Sequence, residues 1–303
     1  MTVSGAPLAK DDFIAWIRRE GERRYHDHHR YHRLMHDGKL TKVQLQQWVL
    51  NRYYYQTRIP IKDAIIVAKS DDPAFRRMWI RRIHDHDGAE AGEGGLELWL
   101  RLAAGVGLDR EDVASCRSVL PGVRFACDAY VELVRERSLV EAVASSLTEF
   151  FAPDLMSRRV LAWEQHYPWV SPDMLAYFRS RVPRARRDSE EAIDFVIRHA
   201  TTHELQARCV AALIRKTEIL GLAEHAQPGV GVELLAVRCV VERVGAVDAA
   251  ERATIRQLGD ERVGARGLRH GASWTRPRSA IVCRKATTSR STSGASLPYF
   301  RES

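Results

Sequence analysis

The chain has 303 residues, 45% hydrophobic and 28% charged, with 47 Lys+Arg against 39 Asp+Glu and a formal net charge of +8. That composition excludes a collagen, a low-complexity polymer and a disordered acidic tail, and it suits one large or two ordinary globular domains. The basic excess alone admits nucleic acid, an anionic membrane or an acidic small substrate as partner. No run of 18 apolar residues occurs, so no membrane span is expected. The start, MTVSGAPLAKDD, lacks the charged segment and apolar core of a signal peptide. Cys116, Cys127, Cys209, Cys239 and Cys283 are odd in number and never CxxC. That argues against a disulfide framework or zinc ribbon and for a reducing, cytoplasmic setting.

In chain order, residues 1–10 read as a flexible N-terminus and residues 11–220 as helix after helix. Thr41 with Gln44 forms a capping box that opens LQQWVLNRYYYQ. Asp72-Pro73 supplies an N-cap and a proline at the first helical position. Ser138 with Glu141 is a second capping box, before AVASSLTEFF. Ser171-Pro172 is expected to start MLAYFRSRV, and Asp188 with Glu191 to start EEAIDFVIRHA. Breaks are expected at Pro60, Gly88 to Gly95, Gly105 and Gly107, Pro121-Gly122, Pro153, Pro168 and Pro183. No alternating β-branched run, Gly-rich phosphate loop or fixed-period repeat is present. The expectation is an all-α bundle of about seven helices or more.

Beyond Leu220 the composition changes. Residues 221–303 hold 13 Lys+Arg against 8 Asp+Glu, which leaves 34 against 31 in residues 1–220. Ser, Thr, Gly and Arg accumulate, apolar periodicity fades after Leu258, and the segment is expected to be largely disordered. Val230 to Leu258 could still form one or two helices or a strand pair. Most of the basicity therefore belongs to this tail.

Three features carry chemistry. The first is histidine density, from His26, His28, His29 and His32 to His36. Three members of that run, His28, His32 and His36, follow i, i+4, i+8 and so share one helix face. A metal site would need ligands converging at about 2.0–2.1 Å with acids from a second helix. Glu-x-x-His is missing: Glu22 and His26 are i, i+4, and Glu164 and His166 are i, i+2. Surface or hydrogen-bonded histidines, without a metal, are expected. Second, Arg52 with Gln56, Arg82 with His86, and Tyr177 with Arg181 place polar pairs at i, i+4 within aromatic helices. That points to an inward polar cavity, with an ordinary charged surface as the alternative. Third, His86 lies between Asp85 and Asp87, a candidate base beside carboxylates or an ordinary helix end.

The stretches YHDHHRYHRLMHDGKL, WVLNRYYYQTRIPIKDA, RRIHDHDG, GGLELWLRL, LPGVRFACDAY, SSLTEFFAPDL, HYPWVSPDMLAYFRSR and KTEIL run in order over residues 20–220. Through them the chain resembles the pyrroloquinoline-quinone synthase family. The resemblance implies a haem-oxygenase-like bundle related to the TENA/THI-4 proteins, usually a homodimer. It implies an oxidase without metal or organic cofactor. Its substrate is a bicyclic quinone precursor bearing several carboxylates, with O2 as co-substrate. The enzyme closes the last ring, removes eight electrons and releases hydrogen peroxide. Neither nucleic acid nor membrane is an expected partner.

Carried over by motif, Arg52, Gln56, Lys62, Arg82, Tyr130, Arg159 and Lys216 would hold substrate, with His26 in the same site. His86 would be the main base, Tyr177 and Arg181 would flank the oxygen position, and Glu149 would stand in the same cavity. Two departures stand out. Met156 occupies a position where some family members have histidine. After KTEIL the resemblance stops at Gly221, and one hypothesis is a shift of reading frame near codon 221, testable by translating the other two frames. The competing functions are haem binding through His26 and nucleic-acid binding, prompted by the net charge and Tyr53-Tyr54-Tyr55.

Overall fold

The computed structural model describes residues 6–226. It places twelve α-helices and three 3-10 turns there, with no strand among the described residues. The expectations for residues 1–5 and for the tail from 227 onward lie outside the described residues.

Both predicted capping boxes form. Thr41 Oγ1 accepts from Gln44 N at 3.3 Å while Gln44 Oε1 accepts from Thr41 N at 2.9 Å, opening α3, Lys42–Ala68. Ser138 and Glu141 do the same at the start of α9, Leu139–Ser145. Before α3 stand α1, Lys10–Glu22, and α2, Arg30–His36. Asp72 caps α4, Pro73–Trp79, with Pro73 in its first turn. Then follow α5, Arg81–Asp87, α6, Gly94–Gly105, α7, Arg110–Ser115, and α8, Pro121–Glu136. After α9 come α10, Ala152–His166, α11, Ala176–His199, and α12, His203–His225.

Several boundaries differ from the sequence reading. Pro60 and Pro183 lie inside α3 and α11 instead of ending them. An interior proline removes one i→i−4 bond and costs about 3 kcal/mol, which the packing of these two long helices against their neighbours offsets. Asp188 is mid-helix, not a cap; burial among arginines explains its presence there. His28 leaves the face of His32 and His36 because residues 26–28 form a 3-10 turn, and it lies exposed. α12 runs to His225, past the expected boundary at 220, because its apolar face (Ile219, Leu220, Leu222, Ala223) continues to find core partners.

α3 packs against α5, α6 and α8, α10 against α11, and α12 against α1, α8 and α9. One apolar core joins α1, α4, α8, α9 and α12; another gathers Trp48, Trp99, Trp163 and Phe178 from α3, α6, α10 and α11. Trp99 meets the Tyr177 ring edge-on, centroids 4.7 Å apart. The polar site occupies the space these helices enclose.

Candidate active site

A cavity of about 40 Å³ is lined by His26 and Tyr25 from the turn before α2, Arg52, Tyr55, Gln56 and Ile59 from α3, and Trp99 from α6. Thr148, Glu149, Ala152, Met156 and Arg159 close it from the α9–α10 side, Tyr177 and Arg181 from α11, and Leu220 from α12. Seven of the expected residues therefore converge: His26, Arg52, Gln56, Glu149, Arg159, Tyr177 and Arg181. Two of the i, i+4 pairs explain how: Arg52 and Gln56 project from one face of α3, Tyr177 and Arg181 from one face of α11. The pairs meet, since Tyr177 OH donates to Gln56 Oε1 at 2.6 Å. Arg181 Nη2 donates to Glu149 Oε2 at 2.8 Å.

The other five expected residues are buried behind this lining. Lys216 Nζ donates to Tyr55 OH at 3.0 Å and sits 3.3 Å from the centroid of the Tyr130 ring. Lys62 Nζ lies 2.6 Å from Asp63 Oδ1 and 3.1 Å from Ser146 Oγ, which is 3.5 Å from Tyr130 OH. Arg82 stacks over Trp79 at 3.8 Å and donates to the Asp188 carbonyl. His86 Nδ1 is 3.0 Å from the Arg82 carbonyl. A carbonyl only accepts, so Nδ1 carries the proton and the lone pair stays on Nε2. That nitrogen is buried without a hydrogen-bond partner among the described residues.

Other polar atoms are also left open: both His26 ring nitrogens, Arg82 Nε, Arg159 Nε and Arg181 Nη1. A buried polar atom without a partner costs about 1–3 kcal/mol, so a group of them in one place marks a site shaped for something other than stability.

Charge balance explains the ionisation states. Six cations, Arg52, Lys62, Arg82, Arg159, Arg181 and Lys216, are buried here. Asp63, Glu149, Asp188 and Glu224 face them. Burial, with Arg181 next, pushes the His86 pKa down to about 3, so the imidazole is neutral. Burial, His32 and then the arginines hold His26 well below the ordinary histidine value. Arg159 is pushed down to about 10 by burial and by Arg52. Burial and Arg52 drive Lys216 well below an ordinary lysine. For Asp188 burial works upward, but Arg82, Arg181 and Arg187 outweigh it and bring the pKa to about 2. The site is thus short of negative charge until an anion enters it.

Sequence reasoning missed Tyr25, Tyr55, Trp99, Ser146, Asp188 and Glu224. Two of these had a readable signal. Asp188 is i+7 from Arg181, on the same helix face, and Glu224 is i+4 from Leu220 and i+8 from Lys216. Tyr55 and Trp99 offered none, since an aromatic in an aromatic helix looks like core. His26, His32 and Glu224 are the one trio among the described residues with metal-ligand atoms all within 4.8 Å of one another.

This fold, an all-α bundle around an enclosed polar cavity, is haem-oxygenase-like. A solved domain of unknown function with a haem oxygenase-like fold from Shewanella denitrificans is similar with a TM-score of 0.59, at 16% identity, over 72% of this chain and 92% of that one. A TenA homologue from P. horikoshii is similar with a TM-score of 0.57, at 13% identity, over 71% and 98%. At those identities the likeness shows the fold alone. The model of the TENA/THI-4/PQQC family matches residues 17–223, and the chain belongs to that family. Within it, the protein named pyrroloquinoline-quinone synthase in Acidiphilium cryptum is 50% identical over 220 residues, 73% of this chain and 88% of that protein. The one so named in Xanthomonas campestris pv. campestris is 51% identical over 215 residues, 71% and 86%. The bifunctional coenzyme PQQ synthesis protein C/D of Methylorubrum extorquens is 50% identical over 213 residues, 70% of this chain but only 57% of that longer protein.

Proposed function

We propose that the chain is a pyrroloquinoline-quinone synthase, which closes the last ring of a polycarboxylate quinone precursor and oxidises it by eight electrons with O2, without metal or organic cofactor. The observation that carries this is the buried cavity where Arg52, Arg159 and Arg181 converge beside aromatic walls and unpartnered imidazole nitrogens. Guanidinium forks match carboxylates in geometry as well as charge. Solvent-facing lysine rows would have favoured nucleic acid; these cations are buried.

In this reading Arg52 and Arg159 take substrate carboxylates. Lys62, Arg82, Tyr130 and Lys216 act one contact back, holding Tyr55, Arg181 and the cavity floor in place. Substrate carboxylates raise the depressed histidine pKa values, because they add the negative charge the site lacks. His86 Nε2, which stands behind the lining of the empty cavity, is the proposed acceptor of a proton from a carbon made acidic by the adjacent quinone, and the electron pair moves into the ring system. The reduced ring system passes two electrons to each O2, which takes up two protons to leave as hydrogen peroxide. Arg181, with Glu149 fixing its aim, and the Tyr177 hydroxyl stabilise the peroxide anion before it is protonated. The expected working unit is a homodimer.

The test is to mix protein and precursor anaerobically and then admit oxygen. Quinone absorbance should shift on mixing, and product and peroxide should appear only after oxygen. Activity that disappears with an iron chelator and returns with iron would overturn the cofactor-free reading. His86→Ala should keep the binding shift and lose about 10²–10⁴-fold in turnover. Unchanged turnover in that variant would remove His86 as the base.

A further inference from the structure

His26, His32 and Glu224 have the composition of a two-histidine, one-carboxylate metal site, and all three are buried. Two of the three, however, already offer a lone pair to an arginine: His32 through Nδ1 and Glu224 through Oε1. Arg159 Nη2 lies 3.0 Å from His32 Nδ1. A guanidinium only donates, so Nδ1 must accept, and the proton of the neutral ring sits on Nε2. Nε2 lies 3.1 Å from Glu224 Oε1, a close electrostatic contact too bent to count as a hydrogen bond. Arg52 Nη1 reaches the same oxygen at 3.3 Å. A divalent cation at the trio would meet an N–H on His32 and a guanidinium within reach of two of its three ligands.

We propose that His32 and Glu224 are positioning residues: a chain running Arg159 to His32 to Glu224, with Arg52 on the same carboxylate, fixes the aim of the two arginines that line the cavity.

Three further observations support this. Arg52 and Arg159 repel each other, and Glu224 is the carboxylate whose charge offsets that repulsion at both. The carboxylate itself is held ionised: the effect of burial is outweighed by His32, Arg52 and Arg159, and its pKa falls to about 2. Lys216, Leu220 and Glu224 follow i, i+4, i+8 on α12, and the first two already face the cavity or its wall, so Glu224 is the last inward residue of the same stripe. His32 has no exposed surface and stands behind the lining, against Arg159 and His26 that belong to it, which suits a link between ligand-binding groups rather than a ligand-binding group.

The name of the ligand rests on the quinone-precursor reading; the chain of contacts does not. The full-length protein and its Glu224→Ala, Glu224→Gln and His32→Asn variants are compared in three measurements. Nitrogen-15 NMR of labelled histidines, with His32→Asn as the assignment, should show His32 as the Nε2–H tautomer in the wild type. Turnover of the precursor should fall about 100-fold in Glu224→Ala, and less in Glu224→Gln, where an acceptor remains. Binding of the polycarboxylate product, followed by absorbance, should stay within about threefold in both, because losing the aim of the arginines is compensated by losing a neighbouring negative charge. A purely structural role would instead lower folded fraction and leave kcat per folded molecule unchanged. An Nδ1–H tautomer at His32, or wild-type turnover in Glu224→Ala, overturns the proposal. So does one equivalent of zinc or iron(II) whose binding is abolished by Glu224→Gln. If the wild type shows the Nε2–H tautomer and neither binds nor turns over the quinone compounds, the substrate reading fails while the chain of contacts stands.

Discussion

His86 combines two properties that pull in opposite directions. Its lone pair is free on Nε2, but its pKa is depressed to about 3, which makes it a weak base in the empty site. Under the proposed function the conflict would be resolved when a polyanion enters, and substrate charge would be part of the catalytic equipment. The sign for the free enzyme follows. A pKa below its ordinary 6.5 keeps His86 deprotonated throughout the neutral range. We therefore expect kcat/KM to show no acid limb from His86 between about pH 5 and pH 8. A limb near pH 6.5 that vanishes in His86→Gln would contradict this. Met156 is a second residue-scale test, because it lines the cavity and its sulfur lies 4.0 Å from Arg159 Nη1. Met156→His places a titratable ring there. The pH profile of kcat should gain an ionisation that the methionine protein lacks.

The individual helices succeed or fail by their ends and by what their interiors press against. Ser138 and Glu141 close a capping box, and Glu141 also bonds Arg208 of α12 at 2.7 Å and 3.1 Å. Ser138→Ala should cost about 1 kcal/mol, the loss of one cap. Glu141→Ala should cost about 2 kcal/mol, since it removes the cap partner and a charge-assisted contact between α9 and α12; urea denaturation reads both. Equal losses would mean that the contact to α12 contributes nothing. Gly94 has φ +82°, and a Cβ there would lie 2.6 Å from the His86 carbonyl. That close approach ties the end of α5, and with it His86, to the start of α6. Caps and first-turn prolines were readable because they are local. Pro60 and Pro183 were misread for the same reason: a local rule ends a helix at proline, and only burial of the long helix against several neighbours reverses it. Pro60 also leaves the carbonyl of Gln56 without its usual helical donor, at a residue whose side chain lines the site.

Across the whole molecule, burial of neutral histidines and ionised carboxylates makes stability depend on pH. His26 and His86 have pKa values below the ordinary 6.5, so the unfolded chain takes up protons first as pH falls. Their contribution is present above 6.5 and is lost progressively as pH falls, for His86 towards about 3. Glu224 and Asp188, both depressed to about 2, add a second loss below their ordinary values of 4.5 and 3.8. The thermal midpoint should therefore drop between about pH 7 and pH 5 and drop further below about pH 4. It should drop less with a polycarboxylate bound, because ligand binding stabilises the folded state. A midpoint independent of pH over that range would show that these groups are solvated. The expected homodimer is checked by light scattering on the full chain.

The all-α class, the capped helix starts, the inward pairs on α3 and α11 and the family all follow from residues near one another along the chain. Helical periodicity, cap chemistry and motif order are local quantities. The sequence also showed that the net charge of +8 resides mostly in residues 221–303, while residues 1–220 are nearly balanced. What only the tertiary structure decided is which charges meet. Asp188 became the partner of Arg82 and Arg181, Glu224 the partner of Arg52 and His32, and His86 a neutral ring with one open nitrogen. Those outcomes depend on distances across helices far apart in the chain and on exclusion of water. Coulomb interactions and desolvation penalties grow large only once the bundle closes.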